Sequence, residues 1–170
     1  LTSNVYDLIR SDLLSDINTH LIYTIPDLIN DIAFTFFPNA KQKAQQSLLI
    51  EQFIKLDENK NNAYIYIGEN SLNITAFKNG KLLLNNSFDF ETKEDILYYT
   101  LFAFEQLKLN TETVSTKLYG EIIKGDEKHQ LLYEYIRNIK FGSRPHHLNF
   151  SSEFNKIPEH QFYGLFSQYI

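Results

Sequence analysis

Three β-strand patterns in direct succession are the feature that most constrains the fold. The first, Ala63–Ile67, is β-branched and aromatic and stops at a turn-forming segment that begins with Gly68. The second, Leu72–Phe77, alternates in the same way and leads to Asn79-Gly80, a pair that favours the tight type I′ hairpin. The third, Lys81–Phe90, follows at once. We therefore predict three consecutive antiparallel strands.

Helix and strand patterns alternate over the rest of the chain. The first predicted helix is Thr92–Leu109, with Thr92 as N-cap and a core stripe of Ile96, Thr100, Ala103, Phe104 and Leu107. A strand at Val114–Tyr119 follows, and then a helix capped by Asp126 that has Leu132, Tyr135, Ile136 and Ile139 on one face. The last elements are a strand at Ile139–Phe141 and a helix that begins at Pro158 and buries Phe162, Leu165, Phe166 and Tyr169. This βββαβαβα order predicts an α/β fold with a mixed sheet, that of a ribonuclease H-like half of an actin-type fold.

The N-terminal part is separated from this region by six polar residues, Asp57 to Asn62. Before them the patterns predict a helix at Val5–Leu14, a strand at His20–Ile25, a helix at Asp27–Phe37 and a helix at Ala44–Leu56 whose first part could also be a strand. We predict two domains, residues 1–58 and residues 63–170.

Composition excludes several classes of function. The 170 residues carry a net charge of −5 without long acidic or basic blocks, so nucleic acid is not expected as a partner. The sequence has no apolar run long enough to cross a bilayer and no cysteine, which excludes disulfides and thiolate zinc sites. We expect a soluble, cytoplasmic protein. Because the chain starts at Leu1 and contains no methionine, we also expect it to be part of a longer protein.

Several short motifs resemble those of known proteins. Ile67-Gly68, Leu72-Asn-Ile-Thr and Asn79-Gly80 resemble the first phosphate hairpin of the actin superfamily, and Leu118-Tyr-Gly120 resembles its adenosine loop. Together with Phe88-Asp-Phe, Glu94-Asp-Ile-Leu-Tyr-Tyr and Ile157-Pro-Glu-His-Gln-Phe-Tyr, they resemble an uncharacterised Bacteroidetes family of domains of unknown function, DUF3822, which has an actin-like ATPase fold. The resemblance implies that residues 1–58 are a partial first actin-like lobe and that residues 63–170 are the second lobe.

The resemblance implies a nucleotide site, which the residues fit poorly. Such ATPases hold Mg²⁺ through an aspartate at the end of the first strand, where this chain has Tyr66-Ile67-Gly68. The resemblance places degenerate phosphate and adenosine loops at Gly68, Glu69, Asn70, Gly120 and Glu121. We therefore expect no ATP hydrolysis, no catalytic residue and no cofactor, with binding of ATP and Mg²⁺ as the alternative.

Other chemistry has weaker support. The first and fourth strands, Ala63–Ile67 and Val114–Tyr119, offer no acids for a two-metal nuclease of this fold. His146, His147 and His160 are the only histidine grouping, and neutral imidazoles can bind metals. Adjacent side chains usually diverge, however, so we assign no metal site and place His160 in the first turn of the last helix.

One helix carries aromatic residues that point away from the predicted core. Glu94, Tyr98, Phe102 and Glu105 follow one another at spacings of four, four and three, and so share a stripe. Tyr98 and Phe102 either pack under a neighbouring lobe or loop, or form an interface for a second protein. We expect a non-catalytic scaffold or protein-interaction module. The alternatives are a nucleotide-binding protein and an obligate homodimer.

Overall fold

The computed structural model describes residues 7–56 and 61–169. In chain order the elements are β1 Asp7–Leu14, β2 Thr19–Pro26, α1 Asp27–Phe36, α2 Gln45–Leu56, β3 Asn62–Ile67, β4 Ser71–Lys78, β5 Lys81–Asp89, α3 Lys93–Gln106, β6 Ser115–Gly120, α4 Glu127–Tyr135, β7 Asn138–Phe141 and α5 Tyr163–Phe166, with short 3₁₀ turns at Ser15–Ile17 and Ser152–Lys156. They form two units, residues 1–51 and 52–170. The predicted boundary lies mostly outside the described residues, and the assignment of the two parts to two lobes stays a prediction.

The first unit begins with a β-hairpin, so the predicted helix at Val5–Leu14 is wrong. β1 pairs antiparallel with β2 along its whole length, from Asp7 opposite Pro26 to Leu14 opposite Thr19. Pairing with the strand that follows in sequence satisfies the backbone groups of β1 that face β2, and this overrides a helix-like spacing of apolar residues. Val5 and Tyr6 lie outside the described residues. The predictions of β2, α1 and α2 are confirmed.

A buried carboxylate connects the hairpin to the start of α2. Asp12 accepts hydrogen bonds from the Ser47 hydroxyl at 2.6 Å, the Ala44 amide at 2.8 Å and the Tyr23 hydroxyl at 3.3 Å. Amides at a helix N-terminus lack partners within the helix, and the helix dipole favours negative charge there. Asp12 therefore fixes where α2 begins.

Apolar side chains of the hairpin and α1 are largely exposed. A two-stranded hairpin has little stability in water by itself, and extended exposed apolar surface usually marks a contact surface. The exposed large apolar residues of the first unit are Ile9, Leu13, Ile22, Leu28, Ile29, Ile32, Phe34, Phe36 and Phe37.

The second unit is built on a mixed five-stranded sheet in the order β5-β4-β3-β6-β7. β3, β4 and β5 pair antiparallel, as predicted, whereas β6 and β7 run parallel to β3. Asn79 and Gly80 both have positive φ, 53° and 74°, as a type I′ turn requires. The turn chemistry therefore sets the hairpin, and the two later strands join through helical crossovers.

One face of the sheet is apolar and is covered mainly by α3 and α4. The N-terminus of α3 is fixed by a capping box, in which the Asp95 amide donates to the Thr92 hydroxyl and the Thr92 amide donates to the Asp95 carboxylate. The buried apolar core on this side includes Ala63, Ile65, Ile67, Leu72, Ile74, Ile96, Phe104, Leu118, Leu132 and Ile136.

The opposite face carries a cluster of buried aromatic rings. Phe53 from the end of α2 stacks on Tyr64 with 4.5 Å between ring centroids, and Tyr163 lies 4.2 Å from Tyr119 and 5.7 Å from Phe53. Burial raises the pKa of both Tyr119 and Tyr163. Gly142 lies directly against Tyr119, since a Cβ there would fall 2.0 Å from a ring carbon. The cluster therefore joins α2, the sheet and α5.

Two predictions for the C-terminal helices are wrong. α4 ends at Tyr135, which is exposed, while Ile136 and Ile139 reach the core from outside the helix. The last helix does not begin at Pro158. A left-handed backbone at Phe162, φ 56°, limits α5 to a single turn, Tyr163–Phe166.

This left-handed residue also changes which side chains of the last segment are buried. Tyr163 and Phe166 are inside, whereas the predicted core residues Phe162, Leu165 and Tyr169 are exposed. Elsewhere the predicted strands and helices are confirmed within a few residues at their ends. No helix in the described ranges is long and apolar enough to cross a membrane.

Because the capping box stabilises α3, removing the cap should measurably reduce the free energy of unfolding. Thr92→Ala leaves the Asp95 amide without its acceptor and should reduce the free energy of unfolding by about 1 kcal/mol. Thr113→Ala, at an exposed turn residue, is the control and should change it by less than about 0.5 kcal/mol. Urea unfolding followed by circular dichroism measures both. Equal losses for the two variants would contradict the capping role.

Candidate functional site

The structure brings the two predicted loops together at the carboxyl ends of β3 and β6. Ile67 lies opposite Gly120 in the parallel register, so Gly68 and Glu121 follow side by side. The crevice at the carboxyl ends of strands is where open α/β sheets usually bind ligands. Gly68, Glu69, Asn70, Gly120 and Glu121 therefore lie at this edge of the sheet, and their role in binding a nucleotide stays a prediction.

Gly120 is required by the approach of two backbones. Its φ is +87°, and a Cβ there would fall 2.0 Å from the Ile67 carbonyl oxygen. The same carbonyl accepts a hydrogen bond from the Glu121 amide at 2.7 Å. The conformation of the loop thus follows from the contact between β3 and β6, with no need for a ligand.

Four amides of these two loops already have acceptors in the chain. The Gly68 amide donates to the Ser71 carbonyl at 2.7 Å and the Gly120 amide to the His160 carbonyl at 2.9 Å. The Ile122 amide bonds the Gly120 carbonyl at 3.1 Å, and the Ile123 amide bonds Asp126 at 2.8 Å. Phosphate-binding loops depend on several free N–H groups that point at the anion. None of these four amides is therefore free to bind a phosphate.

A buried histidine holds the C-terminal segment against the Gly120 loop. The Nε2 atom of His160 lies 2.6 Å from the Ile122 carbonyl, and its ring centroid lies 4.4 Å from that of Phe141. Burial lowers the pKa of His160, which favours the neutral ring with Nε2 as donor. The sequence placed His160 in a helix, which is wrong, and no local pattern indicates a bond to a residue 38 positions earlier.

The charges at these loops disfavour a nucleotide. Glu69 and Glu121 are both exposed at the strand ends, where they would repel the phosphates of ATP. β3 carries Tyr66 one residue before its end at Ile67, and a phenol does not replace a carboxylate as a ligand of Mg²⁺. The residues at these loops therefore do not fit ATP with Mg²⁺ in the way that ATPases of the actin superfamily hold it.

The three C-terminal histidines make separate contacts. His147 Nε2 lies 2.6 Å from the Tyr169 carbonyl, His160 is bonded to Ile122, and His146 is exposed. In residues 7–56 and 61–169, no three histidine, aspartate or glutamate side chains come together as metal ligands would. These residues therefore give no basis for a metal site.

The outer surface of α3 carries an exposed aromatic pair. Tyr98 and Phe102 are 61% and 45% exposed, and their rings are stacked with 6.0 Å between centroids and 17° between planes. They line a shallow groove of about 370 Å³ together with Leu97, Leu101, Glu94 and Glu105. We call the surface that these six residues form, including its shallow groove, the α3 ridge. The sequence predicted that Tyr98 and Phe102 share a stripe with two glutamates, and their role as an interface stays a prediction.

A second pair of rings, Tyr99 and Phe88, supports the exposed aromatic pair. Tyr98 contacts Tyr99 edge to face at 5.4 Å, and Tyr99 stacks on Phe88 of β5 at 4.5 Å. Rings that are fixed before binding lose little conformational entropy when a partner arrives. These contacts therefore hold the rings of Tyr98 and Phe102 in defined positions.

Comparison with known protein families matches residues 2–139 to the family described as protein of unknown function (DUF3822). The chain belongs to this family. The motif Ile157–Tyr163, one of those that resembled the family, falls outside the matched residues.

A crystal structure from Bacteroides thetaiotaomicron VPI-5482, described as a protein with an actin-like ATPase fold and unknown function, superposes on this DUF3822 protein with a TM-score of 0.77 at 24% sequence identity. The match covers 84% of this chain and 56% of the other, so the chain spans little more than half the length of that neighbour. The predicted actin-like ATPase fold is confirmed. No curated protein matches the sequence.

Two glycines with the same backbone angle test the contact between β3 and β6. Gly120 and Gly125 both have φ +87°, but a Cβ at Gly125 meets nothing within 4 Å. We expect Gly125→Ala to lower the free energy of unfolding by about 1–2 kcal/mol, the cost of a left-handed alanine. Gly120→Ala should lower the free energy of unfolding by about 3 kcal/mol or more, because its methyl group also collides with the Ile67 backbone. Chemical denaturation measures the difference, and similar losses would contradict the close approach.

His160 predicts a specific dependence of stability on pH. Because its pKa is lowered in the folded state, the unfolded chain binds more protons at mildly acidic pH, and stability falls as pH falls. The contribution of the neutral ring is complete above the ordinary pKa of about 6.5 and is lost as pH falls through the lowered value.

His160→Gln keeps a side-chain donor but does not titrate. The advantage of the wild-type protein over this variant in free energy of unfolding should shrink between about pH 7.5 and pH 5. Urea unfolding at each pH checks this expectation. An advantage that stays constant, or grows in acid, would show that the imidazole is not held neutral.

Proposed function

We propose that this DUF3822 protein is a cytoplasmic scaffold or protein-interaction module that does not hydrolyse nucleotides. The observation that carries the proposal is the stacked, exposed Tyr98–Phe102 pair on α3. Tyrosine and other aromatic residues are enriched at protein interfaces, where they supply large contact areas with few rotatable bonds. A pair fixed in advance by Tyr99 and Phe88 has the properties of an interface anchor.

The strand ends support the same proposal. In an actin-like ATPase the carboxyl ends of the strands serve the nucleotide, but here the Gly68 and Gly120 amides are used within the chain. The exposed carboxylates of Glu69 and Glu121 add repulsion toward phosphate. We therefore assign no step of catalysis to these residues.

Nucleotide binding without hydrolysis is the second candidate. What favours it is the fold itself, together with the adjacent placement of the Gly68 and Gly120 loops at the carboxyl ends of parallel strands. Binding there would require the Gly120 loop to release its bonds to the C-terminal segment around His160.

Titration calorimetry with Mg²⁺ and ATP separates the two candidates. We expect no saturable heat up to about millimolar ATP, a range that corresponds to binding weaker than about −4 kcal/mol. Micromolar binding that tightens in Glu69→Gln and Glu121→Gln would place a nucleotide at the strand ends and overturn the proposal. Both side chains are exposed, so the substitutions leave the fold intact. Glu112→Gln, an exposed residue before the start of β6, is the matched control.

A further inference from the structure

We propose that the α3 ridge binds an amphipathic helix of a partner protein that presents a stripe of aliphatic residues with arginine or lysine at both ends. This inference rests on the proposed function, since it names the partner of the interaction surface. It follows from the shape of the ridge, from the position of its charges and from the contacts that hold its rings.

The apolar part of the ridge has two defined ends. Glu94 and Glu105 both line the groove, with Leu97, Tyr98, Leu101 and Phe102 between them. The two glutamates are eleven positions apart on α3, which corresponds to about 16 Å at about 1.5 Å per residue. A partner helix of about three turns covers this length, and aliphatic residues at spacings of three and four would face the rings.

The charge of the ridge selects the sign of the partner. Glu94 and Glu105 are exposed, and the lining of the groove contains no lysine or arginine. Lys93, the nearest cation in sequence to Glu94, makes its ion pair with Glu127 at 2.8 Å and acts on Glu94 only through the weaker field of a neighbouring charge. Cations at the two ends of a partner helix would meet Glu94 and Glu105, and an arginine there can also stack on Tyr98 or Phe102.

The same charges disfavour other occupants. Two copies of the ridge packed face to face would bring their glutamates together, which costs energy and works against a homodimer at this surface. A bilayer of anionic lipids would be repelled for the same reason. A basic amphipathic helix is the partner for which both the rings and the carboxylates of the ridge are complementary.

Two helical peptides of about 18 residues test this inference directly. Both carry leucines at positions i, i+3, i+4, i+7 and i+11; one has arginines at each end of the stripe and the other has glutamates in their place. Fluorescence anisotropy with the full chain at low salt should show binding of the arginine peptide at least tenfold tighter than binding of the glutamate peptide. Raising the salt concentration should reduce this preference.

Variants on the protein side locate the binding. Tyr98→Ser and Phe102→Ser should each weaken binding of the arginine peptide by tenfold or more, and Glu94→Gln together with Glu105→Gln should bring the affinities of the two peptides within about threefold of each other. Tyr133→Ser removes a tyrosine of α4 that is 62% exposed, as exposed as Tyr98, and should change nothing. Circular dichroism confirms that every variant is folded.

The outcomes that overturn the inference differ from those that overturn the proposed function. Equal binding of both peptides, lost in Tyr98→Ser, leaves an interaction surface but refutes its preference for basic partners. Binding of neither peptide, or binding unaffected by Tyr98→Ser, refutes the ridge as a helix-binding site. A dimer in light scattering that Phe102→Ser dissociates, or binding to phosphatidylserine vesicles that the variant abolishes, also refutes it. Nucleotide titration alone decides whether the protein acts through ATP.

Discussion

The parallel pairing of β3 with β6 is the contact on which the rest of the second unit depends. Six residues of each strand are in register, from Asn62 opposite Ser115 to Ile67 opposite Gly120. This register places Ile65 and Leu118 on the face covered by α3 and α4, and it places Tyr64 and Tyr119 among the aromatic rings on the other face. A shift by one residue would exchange these two sets of side chains, so both cores hold the same register.

The pairing also decides what the carboxyl ends of these strands can do. In open α/β sheets this edge usually forms a crevice for ligands, because loops diverge where neighbouring strands end. Here the backbones stay in contact beyond the strands, since the Ile67 carbonyl accepts from Glu121 and the His160 carbonyl accepts from Gly120. These hydrogen bonds join β3, β6 and the C-terminal segment at this edge of the sheet.

Helix α3 shows how one element can serve both core and surface. Its buried residues, Ile96, Thr100, Ala103 and Phe104, face the sheet, while Tyr98 and Phe102 point outward at a spacing of four. Most exposed apolar residues are scattered singly, and those need no explanation. A stacked pair between two glutamates, supported by Tyr99 on Phe88, is a different case because several independent contacts fix its geometry. These contacts hold the two rings in defined positions on the surface of α3.

The sequence by itself determined the elements whose signals are local: the β3–β5 meander with its Asn79-Gly80 turn, the Thr92 cap of α3, and the stripe that carries Tyr98 and Phe102. Only the tertiary structure decided the rest. β1 is a strand because β2 pairs with it, and the last helix is limited to one turn by the left-handed backbone at Phe162. The bonds of His160 and Ile67 that occupy the strand ends join residues far apart in the chain. Turn and periodicity signals report on neighbouring residues, whereas such bonds form only once the sheet has brought distant segments together.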